Sequence, residues 1–430
     1  MASPLKQIHK SSFIKYLFLA LSGALSVVAF SPFDIKAAIL LSLAILIYST
    51  ANSINYVEAF KRSLAWGLGY WIAGTGWLIV SIHFYGNTNL IISMLIILLM
   101  GIMLALVFIT PISLIKLIKP NKNIFILSLS FASFLTILEL SRFILLGGFP
   151  WLLPGLTFLD TFAQPLISII GVYGASFFIY FLSAFIALSC IFRNKVYVSL
   201  GILSVLIFFP QNNFHSEHYG KSIEIGIIQP ALDPFKKFQA GEATNIEETL
   251  LNLSEKHSKV DLIIWPESPF PYLNSSPQMK GLLSKTSNFP IILSGTWEYN
   301  NNKLFNALTL LGANQSYYKR HLVPFGEYVP FERIIRGLIE FFDLPMSSIT
   351  QGRSKQELFN IKEFKVLGMI CFDVAFPLSF IEETKKADFI VNVSNDTWFG
   401  SSYGPYQHLQ IVRARAVSYT HLTLPTILLV

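Results

Sequence analysis

Cysteine is almost missing from this sequence, and charge is thin. The 430 residues hold two cysteines, Cys190 and Cys371. Cys190 lies in a hydrophobic run and Cys371 far along the chain among polar flanks, so a disulfide scaffold and a multi-cysteine zinc site are both excluded. The close histidine pair, His215 and His218, falls in a polar linker and makes a poor metal site. No metal and no cofactor are expected. Charged residues are 13% of the chain against 53% hydrophobic, with a mean hydropathy of +0.55, which is too oily for an ordinary soluble enzyme. Acidic residues are scarcest in the first half: residues 1–221 carry 13 Lys and Arg against 5 Asp and Glu, and the remainder 19 against 20. The basic excess sits between hydrophobic spans rather than on one polar face, which excludes nucleic acid as the natural partner and points to membrane topology.

What is present in the first half is a series of apolar runs. Phe13–Phe30, Ala37–Ala51, Leu64–Ile82, Leu90–Thr110, Ile124–Leu146, Leu166–Phe192 and Val196–Phe209 are separated by short polar joints, and most approach the ~20 residues a bilayer-crossing helix needs. The first lacks a cleavage signature and is read as retained. Lys6, Lys10, Lys15, Lys61, Arg62, Lys116, Lys119, Lys122, Arg193 and Lys195 fall on one set of alternate joints, and Lys36 on the other. That alternation predicts about seven helices over residues 1–212, with the N-terminus cytoplasmic and everything after Pro210 on the outer face. Gly67, Gly69, Gly74 and Gly76 read as close helix contacts. Glu139 and Arg142, three apart in the fifth run, either pair on one helix face or line a site for a lipid headgroup. The loop Gly148–Gly155, with Trp151, is either an interfacial anchor or one wall of a lipid-accessible mouth.

From Ser222 the period changes. Short β-prone runs at Ser222–Gln229, Leu262–Trp265, Ile291–Gly295, Ala307–Leu311, Val366–Cys371 and Phe389–Val393 alternate with polar helical stretches such as Ala243–His257. This predicts an α/β domain over residues 222–417 with a largely buried sheet. Three runs end abruptly on chemistry: Val260–Glu267 on a carboxylate, Ser316–His321 on Lys319 just before its end, and Lys365–Asp373 on the thiol of Cys371. A lone cysteine at a strand end is usually core. With Glu267 and Lys319 beside it, the set supplies a nucleophile, a base and a cation for a developing oxyanion.

The motifs Trp265-Pro266-Glu267-Ser268, the run Lys319–Pro330 and Asn395-Asp396-Thr397-Trp398-Phe399-Gly400 resemble the nitrilase (carbon-nitrogen hydrolase) superfamily. Joined to the membrane half and to Gly148-Phe149-Pro150-Trp151, they resemble the apolipoprotein N-acyltransferase family over almost the whole chain to about Ala416. The resemblance implies an αββα sandwich behind a polytopic helical membrane domain. It also implies a triad of Glu267, Lys319 and Cys371, supported by Glu327 and Asp373, in a bacterial inner-membrane enzyme whose catalytic domain is periplasmic. Implied with it are a phospholipid acyl donor (phosphatidylethanolamine by expectation), a thioester on Cys371, and a diacylglyceryl lipoprotein whose α-amine accepts the chain. A monomer is expected, and Trp151, Glu139, Arg142, Trp398 and Phe399 are candidates for substrate contact. Glu327 either orients Lys319 or caps a turn.

Family members commonly carry Glu two residues after the nucleophile, where this chain has the shorter Asp373. Residues 418–430 do not resemble the family's continuation, so the chain is expected to be truncated or to end in foreign sequence. Phe331–Leu344 has apolar residues at near-helical spacing, as a core-facing helix or as an arm at the membrane surface. Two rival readings stand beside this one: a membrane-fused amidase or nitrilase acting on small amides, and a non-catalytic lipid-binding or transport protein.

Overall fold

In a chain poor in charge, asparagine does much of the work of starting helices. Asn55, Asn89, Asn123 and Asn194 each accept a hydrogen bond from the first-turn N–H groups of the helix that follows: Glu58, Ile91, Phe125 with Ile126, and Tyr197. The computed structural model describes residues 4–117, 123–211, 222–230, 233–239, 241–329, 348–418 and 428–429. The chain divides into two compact units. One comprises Met1–Ile79, Asn89–Phe214 and Tyr406–Gln410; the other Val80–Thr88, His215–Pro405 and Ile411–Val430.

The first unit is helical. Its principal helices are Pro4–Leu25, Ala38–Ala51, Tyr56–Thr75, Leu90–Phe108, Ile124–Ser141, Gln164–Ile191 and Lys195–Leu203. Among the described residues four stretches are long and apolar enough to cross a membrane: Ser12–Ala29, Leu90–Leu117, Ile124–Ser141 and Gln164–Ile191. The third helix departs from expectation. It starts at Tyr56, eight residues before the apolar run, and stops at Thr75, with a separate π-helical turn at Val80–Tyr85. Its charged first turns are helical because they neutralise one another: Glu58 bonds Lys15 at 2.8 Å and Arg62 at 2.5 Å, and accepts from the Ile54 N–H. Gly69 lets this helix meet Pro4–Leu25 backbone to backbone; a Cβ there would lie 1.7 Å from the Ala20 carbonyl oxygen.

The second unit carries two sheets. β1 (Ile225–Ile227), β2 (Leu262–Ile264), β3 (Ile291–Asn300), β4 (Lys303–Leu310) and β5 (Ser316–Tyr318) form the first in that order, parallel from β1 to β3 and antiparallel from β3 to β5. β6 (Phe359–Ile361), β7 (Phe364–Ile370), β8 (Phe389–Val393) and β9 (Leu428–Leu429) form the second, with β7, β8 and β9 parallel. β4 packs on β7. On the outer face of the first sheet, Ile246 and Leu250 of helix Glu242–Glu255 and Met279 and Leu282 of helix Pro277–Lys285 bury Ile263, Trp265 and Ile292. This is the sheet-on-sheet core, helix-covered, of an αββα sandwich. β3 and β4 run several residues past the expected bounds because an antiparallel hairpin carries pairing out to Asn300 and Lys303. The Phe331–Leu344 segment and the His215 and His218 pair lie outside the described residues.

Gly69→Ala should force the two packed helices apart, at an overpacking cost of about 1–3 kcal/mol. The check is thermal melting of the full chain in detergent. A variant melting with the wild type would show that this contact gives way freely.

Candidate active site

Each of the three residues chosen from the ends of apolar runs sits just beyond a strand. Glu267 follows β2 after Trp265, whose indole N–H donates to Ser254 at 2.9 Å, and after Pro266, whose carbonyl accepts from the Gly295 N–H at 3.1 Å. These anchors lay the turn directly across β3. A Cβ on Gly295 would stand 2.2 Å from the Ser268 nitrogen and 2.7 Å from the Glu267 Cα, so only glycine fits. Ser268 takes a left-handed φ of 40°. Lys319 follows β5, and its N–H donates to the Asn306 carbonyl of β4 at 2.9 Å. Cys371 is the first residue after β7. It opens the 3-10 turn Cys371–Ala375 with φ 49°, a conformation uncommon outside glycine and typical of sites where the surrounding fold over-determines the backbone.

The polar groups interlock. Lys319 Nζ, 2% exposed as a side chain, donates to Glu267 Oε1 at 3.3 Å and to Glu327 Oε1 at 2.8 Å. Asn306 Nδ2 donates to the same two carboxylates at 2.8 and 3.1 Å, while its Oδ1 accepts from Ser268 Oγ at 3.0 Å. The Asn395 N–H donates to Glu267 Oε2 at 3.0 Å. Glu327 Oε2 accepts from the Val323 N–H at 2.8 Å, so this carboxylate both orients Lys319 and closes its own turn. The two alternatives for Glu327 are therefore one arrangement.

Electrostatics follow from burial. Burial opposes the charge of Lys319, yet Glu267 and Glu327 outweigh it and hold the ammonium well above its usual range. Burial pushes the Cys371 thiol well up, with the Lys319 charge opposing. At neutral pH the sulfur thus keeps its proton.

Both halves of the chain match known families. Residues 22–185 match the family described as Apolipoprotein N-acyltransferase N-terminal domain, and residues 225–420 match Carbon-nitrogen hydrolase. The apolipoprotein N-acyltransferase of Pseudomonas syringae is 31% identical over 415 residues, spanning 92% of this chain and 81% of that one. That of Pasteurella multocida is 32% identical over 443 residues, spanning 96% and 84%. This chain belongs to the apolipoprotein N-acyltransferase family. A CN-hydrolase superfamily protein of Xanthomonas campestris, of solved structure, aligns with a TM-score of 0.35 and 19% identity over 46% of this chain and 72% of that one.

Asp373 acts as a clamp. It is fully buried and accepts four hydrogen bonds: from Tyr317 Oη at 2.8 Å, the Ile370 N–H at 3.2 Å, the Arg320 N–H at 3.2 Å and the His321 N–H at 2.7 Å. The shorter side chain thus ties the turn bearing Cys371 to the backbone just after Lys319. His321 supports the same corner, stacked on Phe376 at 3.8 Å with its pKa held down to about 4 by burial and by Arg320.

The remaining candidates divide. Trp398 packs on Phe235 at 5.1 Å and on Tyr85 at 5.5 Å between ring centres, and its carbonyl accepts from Ser81 Oγ at 2.9 Å. Phe399 neighbours it and is half-buried. Trp151 lies in the helical unit and is buried, its indole N–H donating to Gln407 at 2.7 Å and its carbonyl accepting from Arg142 at 2.9 Å. Of the two readings of that loop, interfacial anchor or wall of a lipid-accessible mouth, the burial of Trp151 through Leu159 and the indole N–H satisfied inside protein speak against the anchor. Glu139 and Arg142 pair with each other at 3.4 Å, and Glu139 also accepts from Tyr180 at 2.6 Å. The cavity beside them, of about 20 Å³, has room for one water and not for a headgroup.

Asn306 and Lys237 were not singled out from sequence, and Ser268 appeared there only as the end of a motif. Asn306 had a visible signal, a lone amide within the apolar run Leu304–Leu308. Burial raises the Asp373 carboxyl to about 6 against the opposing Lys319 charge. An unfolded Asp titrates near ~3.9, so between that pH and about 6 the folded chain holds a proton that the unfolded chain has released. The contribution of Asp373 to stability is therefore largest in acid and falls as pH rises through 6. Relative to Asp373→Asn, the wild type should lose on the order of 2–3 kcal/mol between pH ~4 and ~7. Melting curves across that window check the sign, and parallel curves for the two proteins would refute it.

Proposed function

We propose that this membrane enzyme transfers a fatty acyl chain from a phospholipid, with phosphatidylethanolamine the expected donor, to the α-amine of a diacylglyceryl-cysteine lipoprotein through a thioester on Cys371. The observation that carries the reading is the double tie at one corner of the sandwich. Lys319 is salt-bridged to Glu267, and Asp373 binds the Cys371 turn to the residues just after Lys319. That arrangement supports Glu267 as base, Lys319 as oxyanion partner and Cys371 as nucleophile.

The chemistry then balances with no further reactant. The sulfur of Cys371 attacks the ester carbonyl while its proton passes to Glu267, which is already aligned by Asn306 and the Asn395 N–H. Charge growing on the carbonyl oxygen faces the Lys319 ammonium, which needs no reorganisation because Glu327 already fixes it. Collapse expels the lysophospholipid alkoxide, which takes the proton from Glu267, and the acyl group stays on sulfur. The acceptor amine attacks the thioester, gives its proton to Glu267, and collapse returns that proton to Cys371. Both substrates are bilayer-anchored, as suits a chain with four stretches able to cross a membrane. The alternation of Lys and Arg between the spans supports a multi-pass inner-membrane protein with the sandwich in the periplasm.

Incubating the purified full chain with phosphatidylethanolamine should leave a fatty-acyl adduct on the Cys371 peptide, seen by mass spectrometry. Cys371→Ser should remove the adduct and lower lysophospholipid release by about 10³-fold or more. Wild-type turnover in that variant would overturn the nucleophile assignment. Turnover of a water-soluble amide with no lipid dependence would favour a nitrilase-like hydrolase instead.

A further inference from the structure

Lys237 is a second buried lysine in the sandwich unit, unused in the scheme above. It lies in the short helical turn Lys236–Phe238 after β1, and its side chain is buried although its neighbours Lys236 and Phe238 are exposed. Its ammonium donates to the Ser268 carbonyl at 2.5 Å and stands 5.6 Å from the centre of the Trp297 ring and 5.5 Å from that of Phe238. Among the described residues no carboxylate lies within ion-pair distance of it. Glu267 is the one charged group that acts on it through space.

A buried cation without a paired carboxylate is costly to keep, and burial has brought Lys237 down to about 8. A methionine of similar length would fill the same aromatic slot without that cost. What the ammonium does that methionine could not is hold the Ser268 carbonyl. Ser268 is the residue with φ 40°, adjacent to Glu267, in a turn already pressed against Gly295. Three tethers therefore fix this turn: Pro266 O to the Gly295 N–H, Ser268 Oγ to Asn306, and Ser268 O to Lys237. The first two come from the sheet. The third comes from the loop after β1, on the far side of β2.

We propose that Lys237 is a positioning residue for the acyl transfer: by holding the Ser268 carbonyl it keeps the strained turn in the one conformation that points the Glu267 carboxylate at Lys319 and the Asn395 N–H. This rests on Glu267 serving as the base. Lys237 acts through Glu267 and is itself too enclosed to meet a lipid. Its loss therefore slows chemistry and leaves lipid binding alone.

The test compares Lys237→Met and Lys237→Arg in the purified full chain, with phosphatidylethanolamine vesicles as donor and a diacylglyceryl peptide as acceptor. Lys237→Met should lower kcat by about 30- to 100-fold, as misplacing a catalytic group by about an ångström does. KM for the lipid should stay within about twofold, and the melting temperature should not fall, since the buried charge is gone. Lys237→Arg, which keeps a charged donor, should recover most of the lost kcat. Acylation of Cys371 in a single turnover should be slowed by the same factor as kcat. Lys237→Met turning over like the wild type, or losing only lipid affinity, would overturn the proposal; so would Arg failing to recover activity in a folded protein. If Lys237→Met does not fold, Lys237→Leu, which also lacks a donor, replaces it with the same expectations. Glu267→Gln run alongside separates the two ideas: wild-type activity there would refute the base itself, whatever Lys237 does.

Discussion

Lys319 is held between two carboxylates with almost no access to water, and the rest of the site is arranged around that fact. A lone ammonium at such depth would shed its proton. Glu267 and Glu327 together prevent this, at 3.3 Å and 2.8 Å from the ammonium, and Glu327 is itself fixed by the Val323 N–H. Asn306 bridges both, so neither can swing away without breaking a bond to a strand interior.

Strand order explains how residues distant in sequence reach one corner. β2 delivers Glu267 from the parallel half of the first sheet, while β5 delivers Lys319 from its antiparallel edge. β3 and β4 lie between them, so the gap has to be spanned by Gly295, which admits the turn, and by Asn306, which reaches both sides. Cys371 comes from the other sheet. It is tied in by Asp373, whose reach to the Arg320 and His321 N–H groups is short enough for an aspartate.

Much of this could be read in advance, since a run of apolar residues broken by a reactive side chain is a local pattern. Val260–Glu267 and Lys365–Asp373 each announce a strand and its end in consecutive residues. The boundaries of β8, Phe389–Val393, follow for the same reason. What stayed hidden depends on pairing. Asn306 is one polar residue on a buried strand until the β4 register sets it between Glu267 and Glu327. Lys237 looks like the second of two solvated lysines until the loop folds it under Trp297. The third membrane helix was misplaced because hydropathy counts Glu58 and Arg62 as polar, whereas in the fold they cancel each other. The loop of Trp151 left two readings open, an interfacial anchor or a wall of a lipid-accessible mouth, because the partner of its indole N–H, Gln407, lies far along the chain.

The π-helical turn Val80–Tyr85 is threaded between membrane helices in sequence yet groups with the sandwich, where Ser81 and Tyr85 engage Trp398. The two halves are therefore not interchangeable cassettes joined at residues 212–221. A water-soluble fragment begun at Ser222 would leave the Tyr85 ring behind, and with it one of the three aromatic rings gathered at Trp398 and Phe235. Anyone cutting the gene at the obvious joint would be removing part of the sandwich unit along with the helical one.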